Sequence, residues 1–427
     1  MIVNQLIEKS MQKAQGAQAS LGRSESTNVS FENDRLKSVK SSQNTGISLK
    51  VIVNGKIGSS FTTDIEDTDG IVERALESAE FGSPAHFEFP GFKQGTEVKV
   101  YDTEVESLET EKMVNLGEEM ISLIKKYNKD ITINAGANKN VNNLQFSNSA
   151  GTEYSYDATS YSIWVDGQWI RGTDILWAGH SAEWKKREID HVDIAKKAVD
   201  LFKMAEVIAP VKSGEMPVIF TPEGLNVLLL GLSLGFDGKN AFLGSSPISH
   251  KIGKKITDEK FSITDNALID YAASSSVYDG EGVPHQVTPI IESGVLKNFL
   301  YDLDTAGRAG KNTTGNGAGC TATNLIVKEG SIPFNEMVRN VKEGLLVHSV
   351  LGLGQGNPMS GEFSVNILLG YKIENGEITG RVKDVMLAGN TYDALNDIVA
   401  IGDKGEWVGG SLYAPHIQVG SLSVIAR

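Results

Sequence analysis

The sequence predicts an α+β protein with a duplicated helix–β-meander–helix N-terminal half and a β-rich C-terminal half, barrel-like or sandwich, around one buried helix. In the first half, two stretches repeat the same order of amphipathic and alternating apolar segments. In the second half, short alternating segments are separated by glycine turns. Glycine is frequent, with 45 residues, and proline is scarce, with 11, which favours β-turns over disorder.

The first unit, about residues 1–82, begins with an amphipathic helix from Val3 to about Gln18 and ends with a helix at Thr68–Phe81. Asn54-Gly55 is a strong hairpin signal because both residues tolerate positive φ. The alternating segments between the helices predict strands at Ser26–Glu32, Leu36–Ser42, Gly46–Val53 and Lys56–Thr62.

The second unit, about residues 104–206, repeats this order, with helices predicted at Leu108–Lys126 and Asp190–Ala205. Asp166-Gly167 is interpreted as a hairpin turn equivalent to Asn54-Gly55. Strands are predicted at Ile131–Asn138, Asn142–Asn148, Thr152–Val165, Gln168–Asp174 and Trp177–Glu183. The similar order of the two units favours a duplicated scaffold over a coincidence of hairpins.

A domain boundary is predicted between residues 210 and 211, within the proline-containing segment Pro210–Pro217. The β-strand Val218–Phe220 should lead into a buried helix, with Thr221 as N-cap and an apolar body from Leu225 to Leu234. The rest of residues 211–427 predicts strands at Val295–Tyr301, Tyr371–Glu374, Arg381–Ala388 and Ile417–Ile425, hairpin turns at Asp279–Gly282, Glu292–Gly294 and Glu374–Gly376, and short helices at Ile332–Val338 and Tyr392–Asp397.

Charge and targeting signals exclude several classes of protein. The net charge of −14 argues against direct binding of nucleic acid, which normally requires a basic surface. A single cysteine, Cys320, excludes an internal disulfide bond and fits a reducing compartment. The N-terminus lacks the basic and apolar regions of a signal peptide, and no apolar run is long enough to span a bilayer. We therefore expect a cytoplasmic protein that does not bind membranes.

Specific motifs follow in order along about the last 210 residues. They are Thr313-Thr-Gly-Asn-Gly317 with Thr323-Asn-Leu325, Gly354-Gln-Gly-Asn-Pro-Met-Ser-Gly-Glu-Phe-Ser364, Tyr371-Lys-Ile-Glu-Asn-Gly-Glu-Ile378, and Val399-Ala-Ile-Gly-Asp403. Together with the apolar helix they resemble the C-terminal half of the TldD/PmbA family, whose members have been called gyrase modulators and metallopeptidases. Over the first half of the chain, the resemblance is limited to the order of the predicted helices and strands.

The resemblance also indicates which branch of the family is closer. In the TldD-like branch the buried helix carries a His-Glu-x-x-x-His motif, and a cysteine near the C-terminus supplies a third zinc ligand. This chain has Leu228 and Ser233 near the two histidine positions and Trp407 near the cysteine position. The chain therefore resembles the PmbA/TldE-like branch. This implies a non-catalytic subunit without a cofactor of its own, paired with a TldD-like subunit that carries zinc and cleaves extended peptides.

The histidines allow a check that does not depend on the resemblance. Zinc enzymes of the His-Glu-x-x-His kind need two imidazoles on one helix face. None of the seven histidines is followed by glutamate, and the closest pair, His180 and His191, is eleven residues apart. The sequence predicts no metal ligands and no catalytic residue. Two alternatives stay open: a metallopeptidase with a diverged metal site built across loops, and a homodimeric peptide-binding module without catalysis.

Two glycine-rich motifs supply candidate residues for a peptide cleft. Asn316 and Gly317 belong to the first motif, and Asn357, Ser360 and Gly361 belong to the second. Loops with exposed main-chain groups and small side chains can pair with an extended peptide, as the resemblance also implies. The alternative is that the glycines only satisfy positive φ. Of the tryptophans, Trp164, Trp169, Trp177 and Trp184 are expected in the core or, second, in a subunit contact.

Overall fold

The computed structural model describes residues 1–317 and 319–426, and its α+β architecture confirms the predicted fold class. One sheet of six strands lies in the N-terminal half and a second, larger sheet lies in the C-terminal half. Within the described residues, no helix has the length and apolar character needed to cross a membrane.

The first N-terminal unit packs two amphipathic helices against a three-stranded meander. Alternate residues of the strands, such as Leu21, Leu49 and Val51, join Leu6 and Ile71 from the helices in one apolar core. Its elements are α1 (Ile2–Ser10), β1 (Gly16–Glu32), β2 (Arg35–Val53), β3 (Lys56–Thr62) and α2 (Thr68–Glu80).

The second unit has the same layout, with one additional short helix. The side chain of Asp190 accepts hydrogen bonds from the N–H groups of Val192 and Asp193, which begins the last helix. The elements are α3 (Thr103–Glu106), α4 (Thr110–Tyr127), β4 (Ile131–Asn148), β5 (Glu153–Arg171), β6 (Asp174–Trp184) and α5 (His191–Met204).

The two meanders join through their first strands. The order in the sheet is β3-β2-β1-β4-β5-β6, and β1 pairs with β4 in antiparallel orientation from Gln18↔Asn148 to Phe31↔Ala135. The strands that begin each meander therefore lie at the centre, and β3 and β6 lie at the two edges. This arrangement agrees with the predicted duplication.

Several predicted boundaries in this half are wrong. The first helix ends at Ser10 rather than near Gln18, because Ala17, Ala19 and Leu21 alternate into the core as part of β1. The strand breaks predicted around residues 43–45 and 139–141 do not exist: β2 and β4 run through them. The long ladders on both sides of these polar segments keep them in strand conformation.

The turn predicted at Asp166-Gly167 is also wrong. Gly167 lies inside β5, paired with Ile133 on one side and Ala178 on the other, and the chain turns instead at Gly172, with φ 64°. A Cβ atom at position 167 would lie 2.7 Å from Ile131 and 3.0 Å from Phe202 of α5. The glycine is there because the helix packs closely on the strand.

The C-terminal half contains the second sheet and the predicted buried helix. Its first elements are β7 (Gly214–Phe220), α6 (Asn226–Phe236), α7 (Gly238–Phe242), β8 (Ile263–Asn266), β9 (Val287–Glu292), β10 (Val295–Leu296), α8 (Leu303–Ala309) and β11 (Leu325–Val327). The remaining elements are α9 (Phe334–Arg339), β12 (Glu343–Leu351), β13 (Glu362–Glu374), β14 (Glu377–Arg381), β15 (Val385–Asn390), α10 (Thr391–Asn396), β16 (Ile398–Val408) and β17 (Leu412–Ala426).

Five of these strands close into a barrel in the order β7-β12-β13-β15-β17, because β7 pairs in parallel with β12 and antiparallel with β17. Of the two predicted β architectures, the barrel is therefore correct. The apolar body of α6, including Leu228, Leu232 and Phe236, belongs to the same core as the inward residues of these strands.

Three details of this half differ from prediction. The helix begins at Asn226, because the Thr221 hydroxyl accepts a hydrogen bond from Gly224 N–H in a turn that precedes it. The strand predicted at Val295–Tyr301 is only two residues long: beyond it, Lys297 and Asn298 both donate to the Ile290 carbonyl, and Leu300 N–H donates to Phe236 of α6. Asp279–Gly282 forms a turn, but the residues on its two sides, Tyr278 and Pro284, form an isolated bridge and do not belong to strands.

A buried ion pair connects the two halves. Asp174, at the start of β6, accepts hydrogen bonds from Arg381 of β14 and from Arg171, whose Nη2 lies 2.9 Å from the carboxylate. The residues Asp174 and Arg381 are only 7% and 3% exposed. Desolvation opposes ionisation of this carboxyl group, but the hydrogen bonds from the two arginines outweigh it and lower the pKa of Asp174.

Removing this carboxylate should strongly destabilise the fold. We expect Asp174→Asn to lower the free energy of unfolding by about 3–5 kcal/mol, because Arg381 would stay buried without its partner charge. Chemical denaturation at neutral pH measures this difference. Asp200→Asn, which changes an exposed carboxylate on α5, is the matched control and should cost less than about 0.5 kcal/mol. Equal effects of the two substitutions would contradict the proposed role of the ion pair.

Candidate functional site

A cavity of about 870 Å³ lies between the two sheets. Its walls come from strands β5 and β6, helix α5, the turn after β7, and strands β12, β13, β16 and β17. The lining includes Trp164, Trp177 and Trp407 together with leucine and isoleucine side chains. Such a mostly apolar space with a few polar groups is typical of a ligand site.

Two strands from different sheets, β6 and β16, contribute to the lining of this cavity. Consecutive residues Ala178–Ser181 of β6 and Glu406–Val408 of β16 line it. Because side chains alternate between the two faces of a strand, residues from both faces of β6 and β16 contribute to the lining. In the described part of the chain, β6 pairs with β5 and has no second partner strand, whereas β16 pairs with β17 and also forms an isolated parallel bridge from Gly402 to Ile332.

Three histidines that are far apart in the sequence meet at the cavity wall: His180, His348 and His416. Burial, with further contributions from the other two histidines, lowers the pKa of His348 to about 4. Burial also lowers the pKa of His416 to about 4, against the opposing effect of Glu406. Sequence spacing carries no signal for this convergence, because the three residues lie on β6, β12 and β17.

A hydrogen bond joins this histidine group to the beginning of α6. The Thr221 hydroxyl lies 3.2 Å from His348 Nδ1 and also accepts from Gly224 N–H at 3.1 Å. Since the hydroxyl oxygen is already an acceptor, its proton can be donated to the neutral imidazole. Protonation of His348 at Nδ1 would reverse the direction of this bond, with Nδ1–H donating to the second lone pair of the Thr221 oxygen.

A smaller cleft of about 280 Å³ lies over the accessible face of α6. Asn226, Leu230 and Ser233 of the helix line it, together with Thr323 and Ser411 from neighbouring loops. The spacing of four and three residues places the helix side chains on one face. This is the only face of α6 on which the described side chains are partly exposed.

The positions compared with zinc ligands lie in three different surroundings. Leu228 is fully buried in the barrel core, Ser233 lines the small cleft, and Trp407 lines the large cavity. Zinc is bound by thiolate, imidazole or carboxylate groups. The amide, alkyl and hydroxyl groups on the accessible face of α6 do not fit this requirement. Across residues 1–317 and 319–426, no cluster of three or more His, Cys, Asp or Glu side chains is arranged to hold a metal ion.

The candidates of the first glycine motif lie in a buried polar network. Asn316 Nδ2 donates to Asp265 Oδ2 at 2.7 Å, and Gly317 N–H donates to Asp279 Oδ2 at 2.7 Å. Desolvation raises the pKa of both aspartates against these hydrogen bonds. Asn316 is 2% exposed. These N–H groups of Asn316 and Gly317 are therefore bonded to other residues of the protein.

The candidates of the second motif lie on a turn that packs on α6. Asn357 is exposed and Ser360 is partly exposed, whereas Gly361 is buried with φ 87°. A Cβ atom at Gly231 of the helix would lie 3.1 Å from Gly361 Cα, so the turn and the helix approach closely. None of the five candidates lines either of the two cavities described above, and their role in peptide binding stays a prediction.

The expected core position of the tryptophans is only partly correct. Trp164 and Trp177 line the large cavity, and Trp177 is 39% exposed. Trp184 packs edge-on against Trp407, with ring centroids 5.1 Å apart. The cluster is therefore mainly a wall between the two sheets.

Comparison with known sequences shows which protein family the chain belongs to. The profile of the PmbA/TldA metallopeptidase C-terminal domain matches residues 213–426, and that of PmbA/TldA metallopeptidase domain 1 matches residues 17–80. The chain belongs to the PmbA/TldD family. This membership makes it metallopeptidase-related and confirms the resemblance inferred from the glycine motifs.

Relatives from both branches of the PmbA/TldD family are similar to this chain. An uncharacterized protein of Methanocaldococcus jannaschii is 28% identical, with 87% of each chain covered. A metalloprotease PmbA homolog of Haemophilus influenzae is 25% identical over 97% of this chain and 90% of its own length. A metalloprotease TldD homolog of the same organism is 32% identical, but over only 51% of this chain and 47% of its own.

Solved structures of the family share the whole fold. A putative modulator of a DNA gyrase from Thermotoga maritima superposes with a TM-score of 0.92, at 24% identity and with 99% of both chains covered. TldE from Thermococcus kodakarensis superposes with a TM-score of 0.92, at 20% identity and with 100% of both chains covered. At these identities the likeness concerns the fold.

The buried histidines should make the protein sensitive to mild acid. Their folded pKa values of about 4 lie below the ordinary value of 6.5, so the unfolded chain binds protons first as the pH falls. Between pH 7 and pH 5 we expect His348 and His416 each to reduce the free energy of unfolding by about 2 kcal/mol. Denaturation curves at a series of pH values measure this slope.

The slope should become smaller in His348→Gln and smaller still when His416→Gln is added, whatever these substitutions do to stability at pH 7. His250→Gln is the control, because His250 is exposed and lies outside the cavity wall. An unchanged slope in the double variant would show that other groups cause the acid sensitivity.

Proposed function

We propose that this chain is the non-catalytic, PmbA/TldE-like subunit of a TldD/TldE-type metallopeptidase assembly that acts on extended or unfolded peptides. One observation carries the proposal. The accessible face of α6 presents Asn226, Leu230 and Ser233, and the two positions of this helix compared with the zinc histidines of the catalytic branch are Leu228 and Ser233. These side chains can shape a cleft but cannot coordinate zinc or act as a general base.

The surroundings of the histidines support the same interpretation. His180, His348 and His416 gather at the large cavity and not at α6. Their environment favours the neutral form, and His348 is held by Thr221 as part of the wall. We assign these residues to the architecture of the cavity and not to hydrolysis.

The proposed partner is a TldD-like subunit, which would supply zinc and the catalytic groups, while this chain completes and shapes the substrate path. A homodimer of this chain is the alternative arrangement. The proposed substrates are peptides. A net charge of −14 disfavours direct contact with nucleic acid, and we expect the assembly to act in the cytoplasm.

A peptide-binding module without any catalytic partner is the second candidate. The edge of β6 beside the cavity, which has no second partner strand among the described residues, favours it, because such an edge can pair with an extended chain. The two candidates differ in whether cleavage appears when a TldD-like subunit is added. A metallopeptidase with a diverged site is the third interpretation, and it requires metal on this chain alone.

The deciding experiment measures metal content and cleavage with and without the partner. The purified chain, a TldD-like subunit and the co-expressed pair are analysed by plasma mass spectrometry and assayed on an unfolded peptide. We expect zinc and cleavage in the pair, no tightly bound zinc in this chain alone, and no cleavage by it alone. The control is a pair in which the first histidine of the partner's His-Glu-x-x-x-His motif is replaced by alanine.

Each other outcome favours a different interpretation. About one zinc per chain and cleavage by this chain alone would replace the proposal with a diverged metallopeptidase. Failure to form a complex with the partner, together with binding of uncleaved peptide, would favour the binding module.

A further inference from the structure

The turn between β7 and α6 contributes to the walls of both the large cavity and the small cleft. Residues 221–223 line the large cavity, whereas Asn226 and Leu230 line the small cleft. Only two residues of the chain, Gly224 and Leu225, separate these two sets. A change in the conformation of this short segment would therefore change the shape of both sites.

Hydrogen bonds connect His348, in the wall of the large cavity, to Asn226 in the small cleft. His348 Nδ1 lies 3.2 Å from the Thr221 hydroxyl, which accepts from Gly224 N–H at 3.1 Å. Asn226 Nδ2 donates to the carbonyl oxygen of Glu223 at 3.0 Å. This carbonyl and the Gly224 N–H belong to one planar peptide group. The bonds from the two sites therefore hold opposite sides of the same rigid plane.

The turn also packs directly on the main chain of β12. Thr221 N–H donates to the Val347 carbonyl oxygen at 3.0 Å. A Cβ atom at position 224 would lie 2.2 Å from the same oxygen, so only glycine fits there. Because no side chain separates the two main chains, the turn has to follow any movement of β12 beside His348.

Strand β12 is irregular at His348. Its register with β13 shifts between Val347 and Ser349 and again between Ser349 and Val350. Its parallel pairing with β7 ends at Val347. Among the described residues, His348 has no partner in either ladder. A β-bulge bends a strand and releases a residue from pairing, so the main chain of β12 is least restrained at this histidine.

The groups around His348 oppose a positive charge on its ring. The titratable and charged side chains of the neighbouring elements are His180 of β6, Asp193 and Lys197 of α5, Glu223 of the turn, Glu406 of β16 and His416 of β17. Lys197 lies 3.3 Å from Glu406, which compensates part of the charge of this carboxylate. Burial and the two other imidazoles keep the pKa of His348 low, so that it is neutral at pH 7.

We propose that His348 is a positioning residue through which the large cavity controls the geometry of the small cleft. Its hydrogen bond to Thr221 orients the peptide group between Glu223 and Gly224, and this peptide group in turn holds Asn226. The coupling belongs to this chain alone and does not depend on the subunit role proposed above.

Protonation of His348 would operate the coupling. When Nδ1 carries a proton, the Thr221 oxygen accepts from both His348 and Gly224, and its own proton needs a new acceptor. The hydroxyl group then rotates and the peptide group turns with it, which weakens the hydrogen bond from Asn226. The small cleft changes shape although none of its own side chains has changed its charge.

The first measurement is amide hydrogen exchange of the full-length chain at pH 7, followed for residues 224–228. His348→Leu removes the acceptor for the Thr221 hydroxyl, and it should speed exchange of these amides about tenfold. His348→Asn places an acceptor near the position of Nδ1 and should stay within about twofold of the wild type. His250→Leu, at an exposed histidine outside the cavity wall, is the control and should change nothing.

A double-mutant cycle separates the coupling from a general loss of stability. Thr221→Val removes the hydroxyl and should speed exchange at least as much as His348→Leu does. Thr221→Ser keeps the hydroxyl and should behave as the wild type. Since the two residues act as one hydrogen-bonded unit, the double variant should exchange no faster than Thr221→Val alone. The amides of β4 show in the same data whether the fold is intact.

Two further readouts would not respond if His348 were merely structural. In Ser233→Cys the new thiol lines the small cleft, and Cys320 is buried, so modification by a maleimide reports on the cleft. Adding His348→Leu should change the modification rate at least about threefold. In the wild type, protection of residues 224–228 relative to β4 should fall as the pH approaches about 4, where His348 becomes protonated, but not in Thr221→Val.

Three results would overturn the proposal. They are additive effects in the double variant, an unchanged modification rate at position 233 in folded His348→Leu, and protection of the turn that does not depend on pH in the wild type. Should His348→Leu fail to fold, Thr221→Val and Thr221→Ser still decide the question. If Thr221→Val leaves both the turn and the thiol unchanged, His348 only lines the cavity.

Discussion

The two-sided pairing of β7 is the interaction on which most of the C-terminal architecture depends. This seven-residue strand bonds in parallel to β12 and antiparallel to β17, and it thereby closes the barrel. The turn that follows directs α6 into the barrel core, and Thr221 of that turn reaches His348 on β12. The position of the helix, the small cleft above it and one wall of the large cavity all follow from this closure.

The contact between the two halves combines strong attachment with open space. A buried ion pair and an aromatic contact hold the two ends of β6, and the cavity occupies the interval between them. Burying an ion pair contributes little net stability, but it fixes geometry, because either partner alone would be a costly buried charge. This explains how two differently built sheets can be held in one orientation while a strand edge between them stays accessible.

Polar groups in the two glycine motifs have different physical roles. The first motif closes a buried network in which Asp265 and Asp279 accept bonds from side chains and main-chain N–H groups. The second forms a turn on α6 that requires a left-handed glycine at position 361. Motifs that are typical of the PmbA/TldD family are thus partly explained by folding alone. A functional role for them would rest on the exposed members of the second turn, such as Asn357.

Local patterns in the sequence were sufficient for the duplicated meanders, the Asn54-Gly55 hairpin and the apolar helix, because each depends on side-chain periodicity or on turn residues close together in the chain. The absence of histidine and glutamate from α6 is a property of the sequence itself. Tertiary structure alone decided the function of Gly167, which makes room for Phe202, and the convergence of His180, His348 and His416. The unpaired edge of β6 was likewise decided only by the tertiary structure. These features depend on contacts between residues distant in sequence, and pairing across sheets leaves no local periodicity from which it can be predicted.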